Sequence, residues 1–467
     1  MTKLRSGTTR FGERQFYINH QSDKAHNWER TTLQDRIEYV EFRLADIYGQ
    51  LKGMTVPCEP AKSVEELLND PIMEKGTSVD GSSIAGLSRV ESSDLRLQPE
   101  PATAVELPYS DARTAAVMCF VREKMGQGKE EKYYPKDTRG RLHQVCENRL
   151  KDNMQLMVKT EPEFYALTPE GRPFDEGQYA DIYPKSPTQS YLLGLSNALR
   201  FVGMDLRVIH HEVGSAQQEI EINYSDARHM ADTLLLFKNL TRAVALEQGI
   251  DVTFMPKPFE GEAGNGLHCH LQLWEGGDNL FGSDDSGNLS ETAKMFVAGL
   301  LEHAPAITAI ANPTVNSYKR LVPHQEAPVY ISWGDRNRTA LIRIPLFRDK
   351  NDAAIEFRSP DPSTNPYLLF SALIAAGIDG IEKELEAPTP VSKDVFRMSD
   401  TEREKMGIGS LPSTLGSALG HLEEDEVITQ AIGDEIAEEF IALKRNEWLN
   451  YVNRSVTDFE WQHYRDV

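Results

Sequence analysis

The sequence lacks the features that mark several large classes of protein. Its longest apolar run, Tyr367–Ile378, is about half the length needed to cross a bilayer. The first residues carry no apolar signal-peptide core, and the transit-peptide hint of Lys3, Arg5, Arg10 and Arg14 is diluted by Glu13 and Asp23. Residues 1–30 therefore read as a disordered tail of a cytoplasmic protein. Cysteine is sparse: Cys58, Cys119, Cys146 and Cys269 form no CxxC pair, which excludes a disulfide scaffold and suits reduced thiols. Positive charge is also short, with 50 basic against 72 acidic residues and a net charge of −22. Such a surface repels phosphate backbones, so neither nucleic acid nor membrane is an expected partner. There is no GxxxxGK[ST] loop, no internal repeat and no low-complexity tract.

What is present suits an enzyme of α+β class. A chain of 467 residues exceeds one compact core, and two domains are expected. From Arg36 the chain reads as short strands (Ile37–Leu44, Leu51–Val56, Thr114–Val121), with a Gly/Ser-rich loop at Gly76–Gly86 carrying Asp80. The charged stretch Lys124–Lys136 is the natural boundary between a domain over 31–135 and a larger one over 136–467. The larger part reads as helices at Thr138–Leu150, Thr188–Val202, Ala227–Gln248, Thr292–Ile310 and Pro366–Leu385, with strands at Gln155–Ala166, Val252–Phe254, Gly266–Trp274 and Tyr330–Trp333. A helix pair at Glu424–Asn450 is expected as a peripheral cover.

The informative pattern is a set of polar residues two apart inside apolar strands, a spacing that puts both side chains on one face. Glu161 and Glu163, Glu219 and Glu221, His268 and His270, and Glu356 and Arg358 all fit it, and His210-His211-Glu212 adds a further ligand-type cluster. A wet sheet face explains any single pair. Several pairs built of Glu and His crowd like charges, a cost that bridging cations relieve, and oxygen-rich sets with an occasional His suit Mg²⁺ or Mn²⁺. Lys319, Arg320, Arg336, Arg338, Arg343 and Arg358 fall within forty residues and suit phosphate and carboxylate gripping. Between them a proline-bounded loop, Leu321–Pro328, offers Glu326 as a base or gate. The residues alone imply a metal-dependent enzyme handling phosphate plus a carboxylate, and a metallohydrolase fits them equally.

Ordered blocks then carry a resemblance: VDGSSIAG (Val79–Gly86), EPEF (Glu161–Phe164), HHEVGSAQQE (His210–Glu219), TFMPKP (Thr253–Pro258), GNGLHCH (Gly264–His270), NSYKRLVPHQEAP (Asn316–Pro328), RNRTALIRIP (Arg336–Pro345) and IEFRSPDPSTNPYL (Ile355–Leu368). From about Tyr39 onward the chain resembles the type I glutamine synthetases. The resemblance implies a β-grasp-like N-terminal domain, a catalytic domain on a curved antiparallel sheet, and a dodecamer of two hexameric rings with sites shared between neighbours. It implies ATP, glutamate and ammonium or an amine as substrates, with two to three Mg²⁺ or Mn²⁺ ions per site. Glu163, Glu212 and Glu219 would hold one metal and Glu161, His268 and Glu356 another. Arg338, Arg343 and His270 would meet the ATP phosphates and Tyr224 the adenine. Gly264, Arg320 and Arg358 would hold the glutamate, with Glu163 and Asp94 beside it, while Asp80, from the adjacent subunit, and Glu326 attract ammonium. Arg89 resembles an effector-responsive arginine, and Phe396 replaces the tyrosine adenylylated in one subclass. Ala263, Ala354 and His324-Gln325 depart from the usual pattern, and the Gly214–Ala216 and Glu260–Ala263 runs resemble γ-glutamyl-polyamine ligases, which use an organic amine.

Overall fold

The computed structural model describes residues 9–11, 14–16, 35–88, 93–109, 112–123, 133–151, 153–283, 287–323, 325–454 and 456–465. Most of the expected tail at 1–30, most of the expected boundary at 124–136, and Arg89 lie outside them.

Two sheets organise the chain. The first runs Leu51–Ala61, Ile37–Ala45, Thr114–Glu123, Asp94–Pro99, Thr77–Asp80, with Val105–Glu106 beside Thr114–Glu123. Its Ile37–Ala45 and Thr114–Glu123 strands pair in parallel, and the rest antiparallel. Leu51–Ala61 is an edge, which explains how Pro57 and Pro60 are tolerated inside a strand: an edge has one side with no ladder bond to lose. Thr77–Asp80 is the opposite edge, so the expected loop at 76–86 begins as a strand.

The second sheet runs Leu206–His211, Gln217–Asp226, Met154–Leu167, Leu267–Glu275, Ile355–Phe357, Ile342–Ile344, Trp333–Asp335. Every pair on this path is antiparallel except the last, which is parallel, a departure from the expected antiparallel sheet. Strand alternation divides each element cleanly. Leu156, Val158 and Phe164, then Ile220 and Ile222, then Leu267, Cys269, Leu271 and Leu273 are buried on one face. The alternate residues face the other way, into a large cleft. The apolar face is covered by the Ala227–Glu247 helix, where Phe237 meets Phe164 edge-to-face at 6.2 Å. Each large apolar side chain buried there contributes about 1.5–3 kcal/mol.

The helices expected from the sequence are present, with one divided in two. The helix expected over Thr292–Ile310 is two, Glu291–Glu302 and Ala304–Ala311, because Pro305 has no N–H to donate and suits only the first turn of a new helix. The expected C-terminal pair is present as Glu426–Ile432 and Asp434–Arg454, parted at Gly433, whose φ of +90° no helix accepts. It is also no mere cover: Ile428, Ile432, Ile436 and Phe440 are buried in the main core.

Helices Glu291–Glu302 and Pro366–Glu382 cross in direct backbone contact. A Cβ at Gly299 would stand 2.0 Å from the Ala376 carbonyl oxygen, and one at Gly380 2.2 Å from that of Met295. Since the obstacle is backbone, Gly299→Val is expected to destabilise the protein by at least about 1–3 kcal/mol. A chemical-denaturation midpoint equal to the parent's would show that the crossing can separate without cost.

Candidate active site

Register between neighbouring strands assembles the site. Glu163 lies opposite Glu219, which on its other side faces His210. Glu161 lies opposite His268. Glu356 stands between His270 and Arg343. Three donor sets result, Glu161/His268/Glu356, Glu163/Glu219/His268 and His210/Glu212/Glu219, each with ligand atoms within 4.8 Å of one another. All face a cleft of about 1990 Å³ also lined by His270, Tyr224, Gly264, Arg320, Glu326, Arg338, Arg343 and Arg358.

Charge is balanced unequally across this floor. Burial alone would raise the Glu161 carboxyl, but bonds from His268 at 3.3 Å and His270 at 2.7 Å hold it well below the usual range. Glu356 is fully buried, and Arg358 and then His270, His268 and Arg343 likewise hold it low against burial. The other set has little such support. Among the described residues Glu163 accepts from two uncharged donors, the Gln217 side-chain amide and the Gly266 N–H, both at 2.9 Å. Burial and then the Glu212 charge push its carboxyl up. Glu212 is raised by burial and Glu219, and Glu219 by burial and then Glu163 and Glu161, despite its 3.0 Å bond from His210. Three carboxylates crowded on one face, all pushed up despite the His210 contacts to two of them, fit a hard divalent cation, which takes oxygen ligands and removes the repulsion.

The arginines divide by partner. Arg320, 4% exposed, donates to the Ser359 carbonyl at 2.6 Å, which fixes it at the cleft wall beside Gly264. Arg343 and Arg358 each bond one oxygen of Glu356. Arg338 projects into the cleft with no ion-pair partner among the described residues. Lys319 and Arg336, read with them in the sequence, do not line it; Lys319 lies over the Tyr451 ring instead. Nor do Asp80 and Asp94, which sit opposite each other where Thr77–Asp80 pairs with Asp94–Pro99.

Sequence reasoning missed Lys159. Its ammonium, on a side chain 8% exposed, bridges Glu161 at 2.8 Å and Glu221 at 2.9 Å. The signal was available, because Lys159 precedes Glu161 by two residues on the same strand face. Glu221 in turn pairs with Arg207, so it serves the cleft wall as an ion-pair partner. His211, by contrast, turns away from the cleft and bonds Asp175 at 2.9 Å.

Most of the chain is matched by known proteins. Residues 135–464 match the family model described as the glutamine synthetase catalytic domain, and residues 36–124 the one described as the glutamine synthetase β-grasp domain. The glutamine synthetase of Pyrococcus furiosus is 41% identical over 445 residues, spanning 92% of this chain and 97% of the relative. That of Methanocaldococcus jannaschii is 40% identical over 443 residues, spanning 92% and 95%. Among solved structures, a GmaS/ADP complex superposes with a TM-score of 0.82 at 30% identity, over 93% of this chain and 98% of that one. The glutamine synthetase of Plasmodium falciparum, at 24% identity, shares the fold with a TM-score of 0.79 over 93% and 97%.

Proposed function

The chain belongs to the glutamine synthetase family, and on that premise we propose that it joins ammonia to the γ-carboxylate of L-glutamate, coupled to cleavage of ATP to ADP and phosphate. The observation that carries this reading is the one cleft that brings three carboxylate–imidazole sets together with Arg320, Arg338, Arg343 and Arg358.

A carboxylate is a poor acyl donor because oxide would have to leave; phosphorylation replaces it with a stable leaving group. The γ-carboxylate oxygen attacks the γ-phosphorus of ATP, giving γ-glutamyl phosphate and ADP. Glu161, His268 and Glu356, which form one donor set, would hold one divalent cation, and Glu163, Glu212 and Glu219, which belong to two donor sets sharing Glu219, would hold a second; ions bound there would neutralise phosphate oxygens as charge builds. Arg338 and Arg343 line the same cleft and extend that neutralisation, and Tyr224 offers its ring to the base. Arg320, Arg358 and Gly264 orient the amino acid. Ammonium is drawn by Glu326 and by Asp80 of a neighbouring subunit and loses a proton to a carboxylate; the ammonia attacks the acyl carbon, the bond from that carbon to the phosphate oxygen breaks, and the second proton leaves with the phosphate. Shared sites of this kind imply a homo-oligomeric ring. Among the described residues no helix is long and apolar enough to cross a membrane.

The test is phosphate release from ATP with Mg²⁺ and glutamate, comparing ammonium with methylamine, ethanolamine, putrescine and spermidine. Ammonium is expected to support the fastest turnover, and chelation of the metal to abolish it. A faster rate with any organic amine would overturn the choice of nucleophile.

A further inference from the structure

Three segments meet at one edge of the cleft. One carries Glu212 and Ser215, a second spans residues 256–264 and ends in Gly264, and a third carries Gln325 and Glu326. They are joined by side chains to which the reaction above gives no part. The Glu262 carboxylate accepts the Ser215 N–H at 3.0 Å and the Ser215 hydroxyl at 3.1 Å. The Lys257 ammonium donates to the Glu262 carbonyl and, at 3.0 Å, to the Gln325 side-chain oxygen.

The middle segment is anchored independently of these bonds. The Lys257 N–H donates to the Asn316 side-chain oxygen at 2.7 Å, and the Asn316 amide returns a bond to the Lys257 carbonyl at 3.0 Å. The Tyr165 hydroxyl donates to the Ala263 carbonyl at 2.8 Å. A fixed strut therefore reaches in two directions, toward the segment holding a metal-set carboxylate and toward the segment holding the exposed Glu326.

We propose that Lys257, Glu262 and Ser215 are positioning residues that tie Gln325, and with it Glu326, to the Glu212 segment, and so set the pocket in which the nucleophile meets the acyl group. The proposal rests on the reading of Glu326 as an ammonium-binding carboxylate. An exposed lysine–amide bond adds little to global stability. Its consequence is local, because displacing a reacting or orienting group by about 1 Å costs up to roughly 100-fold in rate. A pocket held this way suits a small nucleophile, and loosening it admits both water and larger amines.

The experiment uses the full-length chain with Lys257→Met, Gln325→Ala and Ser215→Ala, and Lys257→Arg as the conservative control. The backbone anchors to Asn316 survive every one of these changes. Hydrogen exchange of the backbone amides in 325–329 is expected to accelerate in Lys257→Met and Gln325→Ala and to return toward the parent in Lys257→Arg. In steady state the same two variants should raise KM for ammonium about tenfold while kcat stays within about threefold. Phosphate released without glutamine should increase. Combining Gln325→Ala with Lys257→Met should add nothing to either alone. Unchanged exchange at 325–329, or an unchanged KM for ammonium, overturns the tie. A parent with no ammonium-dependent turnover but accelerated exchange in the variants would overturn the choice of nucleophile and leave the tie supported.

Discussion

Glu356→Ala is expected to lose Mg²⁺-dependent phosphate release by at least roughly 10²–10³-fold and to fall in stability by about 3–5 kcal/mol. Both effects come from one buried carboxylate. It is fully buried, and its two oxygens are bonded separately by Arg343 and Arg358. Removing it leaves both guanidinium groups without the carboxylate that bonds them. The Nε atoms of both arginines are already buried without a hydrogen-bond partner, so neither has spare contacts to fall back on. The same truncation deprives the Glu161/His268 pair of its third donor. Glu356→Gln separates the two effects. It keeps the volume and one acceptor, so the loss of stability should shrink while the loss of turnover remains. Turnover within tenfold of the parent in Glu356→Gln would show that the charge at this position is structural alone. The measurements are phosphate release and the apparent chemical-denaturation midpoint of the assembled protein.

The site was legible because strand periodicity is simple arithmetic. Glu161 and Glu163, Glu219 and Glu221, His268 and His270, and Glu356 and Arg358 line the same cleft, as spacing by two requires. Spacing could not give the order of the strands. That Glu163 faces Glu219, and His270 faces Glu356, depends on register across distant segments. The same limit hid the Lys257–Gln325 and Glu262–Ser215 bonds, which join loops 68 and 47 residues apart in sequence. Adjacent residues also resist sequence reading. His210 and His211 look equivalent in a string, yet one turns to Glu219 and the other to Asp175, because neighbours on a strand point to opposite faces. The division at Pro305 was readable from the missing N–H, and the burial of the Glu426–Ile432 helix was not, since that depends on what it packs against.

Mixing two inactive variants is expected to restore activity. Asp80 is exposed on an edge strand and does not line the cleft of its own chain. Its carboxylate is nonetheless fixed in direction, accepting from the Ser82 hydroxyl at 2.7 Å, the Ser83 hydroxyl at 2.9 Å and the Ser82 N–H at 3.0 Å. Those bonds, the Ser82 hydroxyl foremost, hold it below the usual carboxylate range and so ionised at neutral pH. An ionised, oriented carboxylate at a sheet edge is what a neighbouring copy's cleft needs in order to attract ammonium, and a head-to-tail ring presents each edge to the next cleft. Asp80→Ala and Glu356→Ala should each be inactive alone. In rings assembled from equal amounts of both, a site is intact when its edge comes from the Glu356→Ala chain and its cleft from the Asp80→Ala chain, which occurs at roughly one site in four. Activity near a quarter of the parent's, in oligomers purified through a different affinity tag on each variant, is the expected result. If Asp80 served its own chain's cleft, every site would carry one defect and the mixture would stay silent, since no arrangement of subunits can repair a site that lies within one chain.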